Sequence, residues 1–157
     1  MQGYVCGFLF SDDRATVLLI RKRRPAWQAG KLNGVGGKIE PGETPADAMR
    51  REFHEEAGVD RAAWHHRLTL TGPDWVGHFF RAFGDLSAAR SVTDEQLEQH
   101  PVRALPAHTI PNLQWIIPLL LDEDALRGAY VVDVDHATPL EPGVQTSAIV
   151  ACSGHGR

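Results

Sequence analysis

Apolar segments alternate with polar and glycine-rich segments along the chain, and this pattern predicts a series of strands and helices. Tyr4–Phe10 is almost entirely apolar, which is typical of a strand buried on both faces. Ser11–Arg14 is predicted to be a turn, and Thr16–Ile20 the returning strand of a hairpin. Pro25–Gly42 then carries five glycines, which indicates a backbone that turns tightly or approaches another group closely.

The most clearly delimited element is a helix predicted over Pro45–Ala57. Thr44 suits the N-cap, Pro45 suits the first helical position, and Asp47 stands where the acidic partner of a capping box belongs. Gly58 suits the left-handed position that follows the last helical turn. Both ends of this helix are therefore predicted from local signals.

The remaining segments continue the interleaving of strands and helices. We expect strands at Leu68–Thr71 and Trp75–Phe83, an acidic loop or short helix at Val92–His100, a short strand at Val102–Leu105, an apolar helix at Asn112–Asp122 that Pro118 kinks or restarts, and an edge strand at Tyr130–Asp135. Such an order predicts an α/β fold with a mixed sheet covered on both faces. The domain is expected to end near residue 138, with 139–157 as a loosely ordered tail.

Size and charge limit the classes of function. With 157 residues and 43% hydrophobic residues, the chain has room for one domain with a sizeable core. Lysine plus arginine is 16 and aspartate plus glutamate is 20, giving a formal charge of −4. A mildly acidic domain is a poor candidate for binding a nucleic-acid polymer, although a single nucleotide remains compatible with it.

The cysteines and apolar runs bear on location. Neither Cys6 nor Cys152 belongs to a C-x-x-C pair, which excludes zinc-knuckle and thioredoxin-type sites. Two free thiols in a reducing cytosol are favoured over one long-range disulfide. The first apolar run lacks the basic segment of a signal peptide, and Trp115–Leu121 is too short to span a bilayer, so a cytoplasmic location is expected.

Three glutamates share one face of the predicted helix in an unfavourable arrangement. Glu52, Glu55 and Glu56 stand at positions i, i+3 and i+4, where like charges cost about 0.2–0.5 kcal/mol per pair. They also lie toward the helix C-terminus, where the macrodipole favours cations. Arg51 can neutralise only part of this charge. A solvated acidic face and a site for a hard cation such as magnesium are both open interpretations.

The residues around these glutamates resemble a known motif. Gly37-Lys-Ile-Glu-Pro-Gly-Glu43, followed after seven residues by Arg51-Glu-Phe-His-Glu-Glu-Ala-Gly-Val59, resembles the Nudix box, G-x5-E-x7-R-E-U-x-E-E-x-G-U with U apolar. Every fixed position is matched, and the one departure is Phe53, where the family more often has an aliphatic residue. The resemblance implies the Nudix α/β/α sandwich, with a mixed β-sheet between helices. It also implies Mg²⁺-dependent hydrolysis, with Mn²⁺ as a substitute, of a nucleoside diphosphate linked to another group.

The resemblance also implies roles for individual residues. The expected metal ligands are the backbone carbonyl of Gly36 and the carboxylates of Glu52, Glu55, Glu56 and Glu95. Asp94 and Glu98 are alternatives to Glu95. Glu52, Glu55 and Arg51 form the expected catalytic group, and Glu52 is the candidate to orient or deprotonate the attacking water. Arg51 and Glu43 are also expected to form a structural ion pair that holds the loop against the helix.

The substrate class is indicated by the loop before the box. The N-G-x-G-G-K sequence at Asn33–Lys38 resembles the branch that hydrolyses oxidised purine triphosphates such as 8-oxo-dGTP. In that branch the asparagine equivalent to Asn33 faces the base, whereas the alternative is a bond to turn backbone. Asn112 is a second candidate to read the base, with a helix N-cap as its alternative.

Further contacts are expected around these positions. Gly37, Lys38 and Arg23, with Lys22, are candidates to meet the phosphates, although solvated strand and loop ends are equally consistent with the sequence. Trp27 is the favoured ring for stacking on the base because it lies in a polar loop. The other aromatic candidates, for which core packing is favoured, are Trp75, Phe79 and Trp115.

Three functions remain open at this level. The first is a nucleoside triphosphate pyrophosphohydrolase that releases a monophosphate and pyrophosphate. The second is a Nudix hydrolase of ADP-ribose or a dinucleoside polyphosphate, and the third is a non-catalytic nucleotide-sensing module. The complete box favours a hydrolase. The expected partner is a small nucleotide, not a nucleic-acid polymer or a membrane, and the chain is expected to be a monomer or a homodimer.

Overall fold

The computed structural model of the chain describes residues 1–123 and the backbone of residues 130–133. The helices are α1, Pro45–Ala57, and α2, Leu113–Leu121, and a single 3₁₀ turn spans Ala26–Gln28. The strands are β1 Gln2–Phe10, β2 Thr16–Arg21, β3 Leu32–Asn33, β4 His65–Thr71, β5 Trp75–Phe83, β6 Gln96–Pro101 and β7 Tyr130–Asp133. Within these described ranges, no helix has the length and apolar character needed to cross a membrane.

The strands form one mixed seven-stranded sheet. Its order is β3-β2-β1-β5-β4-β7, and β6 pairs with β2. β1 and β5 run parallel in the middle of the sheet over their whole lengths, from Gln2↔Trp75 to Phe10↔Phe83. This central position explains why the β1 sequence is almost continuously apolar. β7 lies at the edge of the sheet, parallel to β4, as the sequence predicts for the described part of Tyr130–Asp135.

The two helices cover opposite faces of the sheet. Because strand side chains alternate between faces, Phe8 and Phe10 of β1 pack with α2, whereas Val5 and Leu9 pack with α1. Each face therefore has its own core of fully buried side chains. The predicted α/β/α sandwich with a mixed sheet between helices is confirmed.

Helix α1 begins and ends at the predicted residues. Thr44 Oγ1 accepts a hydrogen bond from the Asp47 backbone N–H at 3.2 Å, and Gly58 ends the helix in the left-handed conformation at φ 70°. Phe53 is fully buried and meets Trp64 edge-on, with ring centroids 5.0 Å apart. The aromatic side chain at this apolar position of the box is thus accommodated by a second aromatic ring.

Two expectations for the segment after β5 are wrong. The acidic stretch Val92–His100 is neither a loop throughout nor a short helix, because β6 forms from Gln96 and pairs antiparallel along β2. The open edge of β2 supplies unpaired backbone groups, and pairing with them outweighs the low strand propensity of the β6 residues. Val102–Leu105 is not a strand, since the chain turns there with a bond from Ala104 N to Pro101 O at 3.1 Å.

The remaining expectations concern the later part of the chain and the cysteines. Helix α2 continues through Pro118 as one element. Cys6 is disulfide-bonded, which corrects the expectation that its side chain is a free thiol. Cys152, residues 134–135 of the predicted edge strand, the domain boundary near 138 and the tail 139–157 lie outside the described residues.

Candidate active site

The glycine-rich loop lies against β1 through backbone hydrogen bonds. Gly7 N–H donates to Val35 O at 2.7 Å, and Val5 N–H donates to Gly37 O at 2.9 Å. A Cβ on Gly36 would lie 2.1 Å from the carbonyl oxygen of Val5. No side chain fits at that distance, so glycine is required for the loop to approach the strand.

The same loop contacts two glutamates of α1. The Gly36 N–H donates to Glu56 Oε2 at 3.1 Å. A Cβ on Gly37 would lie 2.4 Å from Glu52 Oε1. Glu52 and Glu56 are one helical turn apart, and both therefore face bare loop backbone.

Both of these glutamates are buried, and burial changes their protonation. Glu52 is 7% exposed and Glu56 is 2% exposed. Burial raises the pKa of Glu52, opposed by Arg51, and raises the pKa of Glu56 to about 8, opposed by Lys22. The ionised forms are thus destabilised in the metal-free protein, and a bound cation would stabilise them.

Glu55 does not join this buried pair. Its side chain is exposed and accepts a hydrogen bond from Arg51 Nη1 at 3.2 Å. Of the three glutamates predicted to share a face, Glu52 and Glu56 thus face the loop, and Glu55 is exposed to solvent.

Arg51 connects the loop and the helix. It donates to Glu43 Oε1 and Oε2 at 2.7 and 2.9 Å, to Glu52 Oε1 at 2.9 Å, and to the Lys38 carbonyl at 3.0 Å. These bonds raise the pKa of Arg51 further and lower the pKa of Glu43. The geometry is that of a clamp that fixes the loop and orients Glu52.

A fourth carboxylate comes from the residue just before β6. Glu95 is fully buried, and its Oε2 accepts from Lys22 Nζ at 2.6 Å while its Oε1 accepts from Arg23 N–H at 2.8 Å. Lys22 Nζ also lies 3.9 Å from Glu56 Oε1. We call Glu52, Glu56 and Glu95 the carboxylate cluster.

The two acids that the sequence offered as alternatives to Glu95 lie elsewhere. Asp94 is half-exposed and pairs with Arg24, and Glu98 pairs with Arg21. Of the three acids considered from the sequence, Glu95 is thus the one brought to the cluster.

The cluster fits a hard cation by its chemistry. All its side-chain donors are carboxylate oxygens, which Mg²⁺ prefers, and their buried charge favours a bound cation. Over residues 1–123 and 130–133, no three His, Cys, Asp or Glu side chains already converge as a complete metal site. Arg51 and Lys22 instead occupy oxygens of Glu52 and Glu95. The sequence did not predict the position of Lys22 between carboxylates. Four basic residues follow one another at Arg21–Arg24, and the sequence does not show which of them is buried.

Asn33 lies buried beside the loop with its amide already bonded. Its Nδ2 donates to Gln28 Oε1 at 3.1 Å, and its Oδ1 accepts from Gly34 N–H at 2.8 Å. Gln28 is itself fully buried. The amide therefore supports turn backbone in this structure, and its orientation is set by Gln28.

Asn112 is buried at the start of α2, but its side chain makes no cap hydrogen bond. Asn112 occupies the expected N-cap position of α2, but its φ and ψ of −65° and −20° are helical, whereas a capping side chain needs an extended backbone. Within the described part of the chain, Asn112 Oδ1 and Thr109 Oγ1 are buried without hydrogen-bond partners. Backbone bonds from Leu32 N–H to His108 O and from Ile110 N–H to Leu32 O hold this segment beside β3.

The remaining candidates differ in exposure. Lys38 is exposed, and Arg23 is exposed 3.7 Å from Asp94. A cavity of about 370 Å³ is lined by residues that include Lys22, Arg23 and Gly30. Among the aromatic candidates Phe79 is buried and Trp75 half-buried, whereas Trp27 and Trp115 are each 39% exposed.

Sequence comparisons agree with the geometry of the loop and helix. The profile of the NUDIX domain family matches residues 2–120. The oxidized purine nucleoside triphosphate hydrolase of Mus musculus is 31% identical over 126 residues, covering 73% of this chain and 77% of that protein. The 8-oxo-dGTP diphosphatase of Escherichia coli (strain K12) is 39% identical over 51 residues, covering 32% of this chain and 40% of that protein.

Solved structures share the fold. The MutT NUDIX hydrolase from Burkholderia pseudomallei superposes with a TM-score of 0.65 at 21% identity, covering 74% of this chain and 95% of that one. The NUDIX hydrolase from Nitrosomonas europaea gives a TM-score of 0.66 at 16% identity, covering 85% of this chain and 78% of that one. With the family profile extending over most of the chain, and the box residues on a loop and helix that meet at buried carboxylates, the chain belongs to the Nudix hydrolase family.

Proposed function

We propose that this Nudix hydrolase is a Mg²⁺-dependent pyrophosphohydrolase that cleaves nucleoside triphosphates to a monophosphate and pyrophosphate, with an oxidised purine such as 8-oxo-dGTP as the favoured base. The observation that carries the proposal is the burial of Glu52 and Glu56 against Gly36 and Gly37. This arrangement stabilises the fold only weakly, because it buries like charges, and is best explained by a cation with a polyphosphate.

At the phosphate end, the residues that would hold the metal are Glu52, Glu56 and Glu95, with the Gly36 carbonyl and the exposed Glu55. When bound, Mg²⁺ supplies charge neutralisation for the polyphosphate and activation of the attacking water, and Mn²⁺ is the expected substitute. Lys38 and Arg23 are both exposed and are the proposed contacts of the outer phosphates.

Hydrolysis at the phosphate end of the site also needs a group that accepts the proton of the attacking water. Arg51 holds Glu52 Oε1, so Oε2 is the atom to which we assign the proton of the attacking water. Burial raises the pKa of Glu52, which makes this carboxylate a better base near neutral pH. Arg51 acts by fixing the orientation of Glu52, with Glu43 as its partner on the loop.

At the base end, buried polar atoms support recognition of a purine edge. An unpartnered buried acceptor costs free energy, and a donor on the base would satisfy Asn112 Oδ1. Asn33 lies on the neighbouring strand β3, where Gln28 fixes its amide. Trp27 is proposed as the stacking ring. The names of the two curated relatives, which specify oxidised purine substrates, agree with this choice.

A panel of substrates tests the proposal. Purified protein is incubated with 8-oxo-dGTP, the common triphosphates, ADP-ribose and a dinucleoside polyphosphate, each with and without Mg²⁺, and products are identified chromatographically. We expect the highest kcat/KM with 8-oxo-dGTP and no turnover without Mg²⁺. Preferred cleavage of ADP-ribose would instead support a different Nudix hydrolase, and binding without turnover would support a sensing module.

A further inference from the structure

Lys22 is a buried cation within the carboxylate cluster. Its side chain is 1% exposed, and Nζ lies 2.6 Å from Glu95 Oε2 and 3.9 Å from Glu56 Oε1. The backbone on both sides of this side chain is held in place. Lys22 N–H donates to Lys31 O at 2.8 Å, and its carbonyl accepts from Gly30 N–H at 2.8 Å.

A buried ammonium group is stable only when carboxylates compensate for its lost hydration. Glu95 supplies most of that compensation, at 2.6 Å from Nζ, and Glu56 lies 3.9 Å away. Both are carboxylates that the proposed function assigns to the metal. An ammonium group and a divalent cation therefore compete for the same oxygens. Lys22 also interacts electrostatically with Glu52, whereas Glu55 bonds to Arg51.

We propose that Lys22 is an internal counterion that occupies the cation position between Glu56 and Glu95 in the metal-free protein and yields those oxygens when a divalent cation binds. The inference rests on the proposed function, because it requires that the carboxylate cluster binds such a cation. Lys22 thereby acts as a positioning residue. It keeps the two carboxylates close together without metal, and it weakens metal binding by competition.

A purely structural role for Lys22 makes a different prediction. Loss of a structural ion pair would lower the melting temperature by a similar amount with and without metal. Loss of a competing cation lowers it mainly without metal, so the gain on adding metal becomes larger. Metal affinity and the metal-induced shift in Tm therefore separate the two roles.

The experiment compares Lys22→Met with the wild-type protein and with Lys31→Met, a matched control that removes the same charge from the neighbouring loop. Mn²⁺ binding to the nucleotide-free protein is measured by calorimetry, and Tm is measured with and without Mn²⁺. We expect Lys22→Met to bind Mn²⁺ about tenfold more tightly and to gain more in Tm than the other two proteins. Equal affinities and equal gains in Tm would overturn the inference.

Two further outcomes are informative. If Lys22→Met folds only when Mn²⁺ is present, the metal has replaced the ammonium group and the inference is supported. If it is unfolded under both conditions, Lys22→Gln, which keeps an N–H for Glu95, is measured instead, and failure of this variant to fold with Mn²⁺ overturns the inference. A wild-type protein that binds no Mn²⁺ contradicts the proposed function itself. If the wild-type protein binds Mn²⁺ and the folded Lys22 variant binds it with the same affinity, only the role of Lys22 is overturned.

Discussion

The backbone N–H of Gly36 donates a 3.1 Å hydrogen bond to Glu56 Oε2 and so joins the glycine-rich loop directly to helix α1. The loop in turn is held on β1, where a side chain at position 36 would collide with the Val5 carbonyl. The position of the Glu56 carboxylate is therefore set by the central strand of the sheet. A carboxylate on a rigid scaffold of this kind is already in position, so it does not have to be ordered when a ligand binds.

Gly37→Ala tests how closely the loop must approach Glu52. The added Cβ would lie 2.4 Å from Glu52 Oε1, so the carboxylate must move. A displacement of about 1 Å at a reacting group costs about 10²-fold in rate, and we expect kcat to fall by that order. Gly42→Ala is the control, because its left-handed φ of 87° costs stability but no atom lies within 4 Å of the new Cβ. Equal kcat values for the two variants would contradict the assignment.

The pH dependence of stability tests the environment of Glu56. Its pKa rises from 4.5 to about 8 on folding, so the folded metal-free protein binds this proton more tightly than the unfolded chain. Its contribution to the free energy of unfolding therefore falls as pH increases from about 4.5 to about 8. Chemical denaturation across this range should show a shallower decline, or none, in Glu56→Gln. Identical profiles for the two proteins would show that Glu56 does not titrate in this window.

Asn112→Ala separates recognition of the base from stability. Since Asn112 makes no cap hydrogen bond, we expect a small change in the melting temperature. Loss of one neutral hydrogen bond of about 0.5–1.5 kcal/mol predicts a rise in KM for 8-oxo-dGTP of about 2- to 13-fold. Gln114→Ala, at an exposed position of the same helix, should leave KM unchanged. A large loss of stability with unchanged KM would assign Asn112 to the core instead.

Trp27→Ala and Trp115→Ala form a matched pair, because both rings are 39% exposed. Stacking of a base on an aromatic ring contributes about 1–3 kcal/mol, so Trp27→Ala should raise KM about 5- to 150-fold. Steady-state kinetics with 8-oxo-dGTP measure this. An increase confined to Trp115→Ala would assign the stacking to that ring.

The structural features that the sequence predicted best are those that depend on residues close together in the chain. Helix α1 begins and ends as predicted because Thr44, Pro45 and Gly58 act on the backbone beside them. β6 was missed because its pairing with β2 joins residues far apart in sequence, and the acidic residues of that segment have low strand propensity.

The site shows the same division between local and distant relationships. The motif identified Glu52 and Glu56, whereas only the folded chain brings Glu95 and Lys22 to them from segments 73 residues apart. The pairing of Glu55 with Arg51 is local by comparison, because the two residues stand at positions i and i+4 of the same helix.

In the proposed function, the carboxylate cluster supports pyrophosphate release from a nucleoside triphosphate in the presence of Mg²⁺. The most direct measurement is ³¹P NMR of 8-oxo-dGTP incubated with the protein and increasing Mg²⁺, with Glu56→Gln as the control. We expect the wild-type protein to produce pyrophosphate and the monophosphate in equal amounts only when Mg²⁺ is present, and the folded Glu56→Gln protein to produce neither. Release of inorganic phosphate instead of pyrophosphate, turnover without Mg²⁺, or full activity of Glu56→Gln would contradict the account.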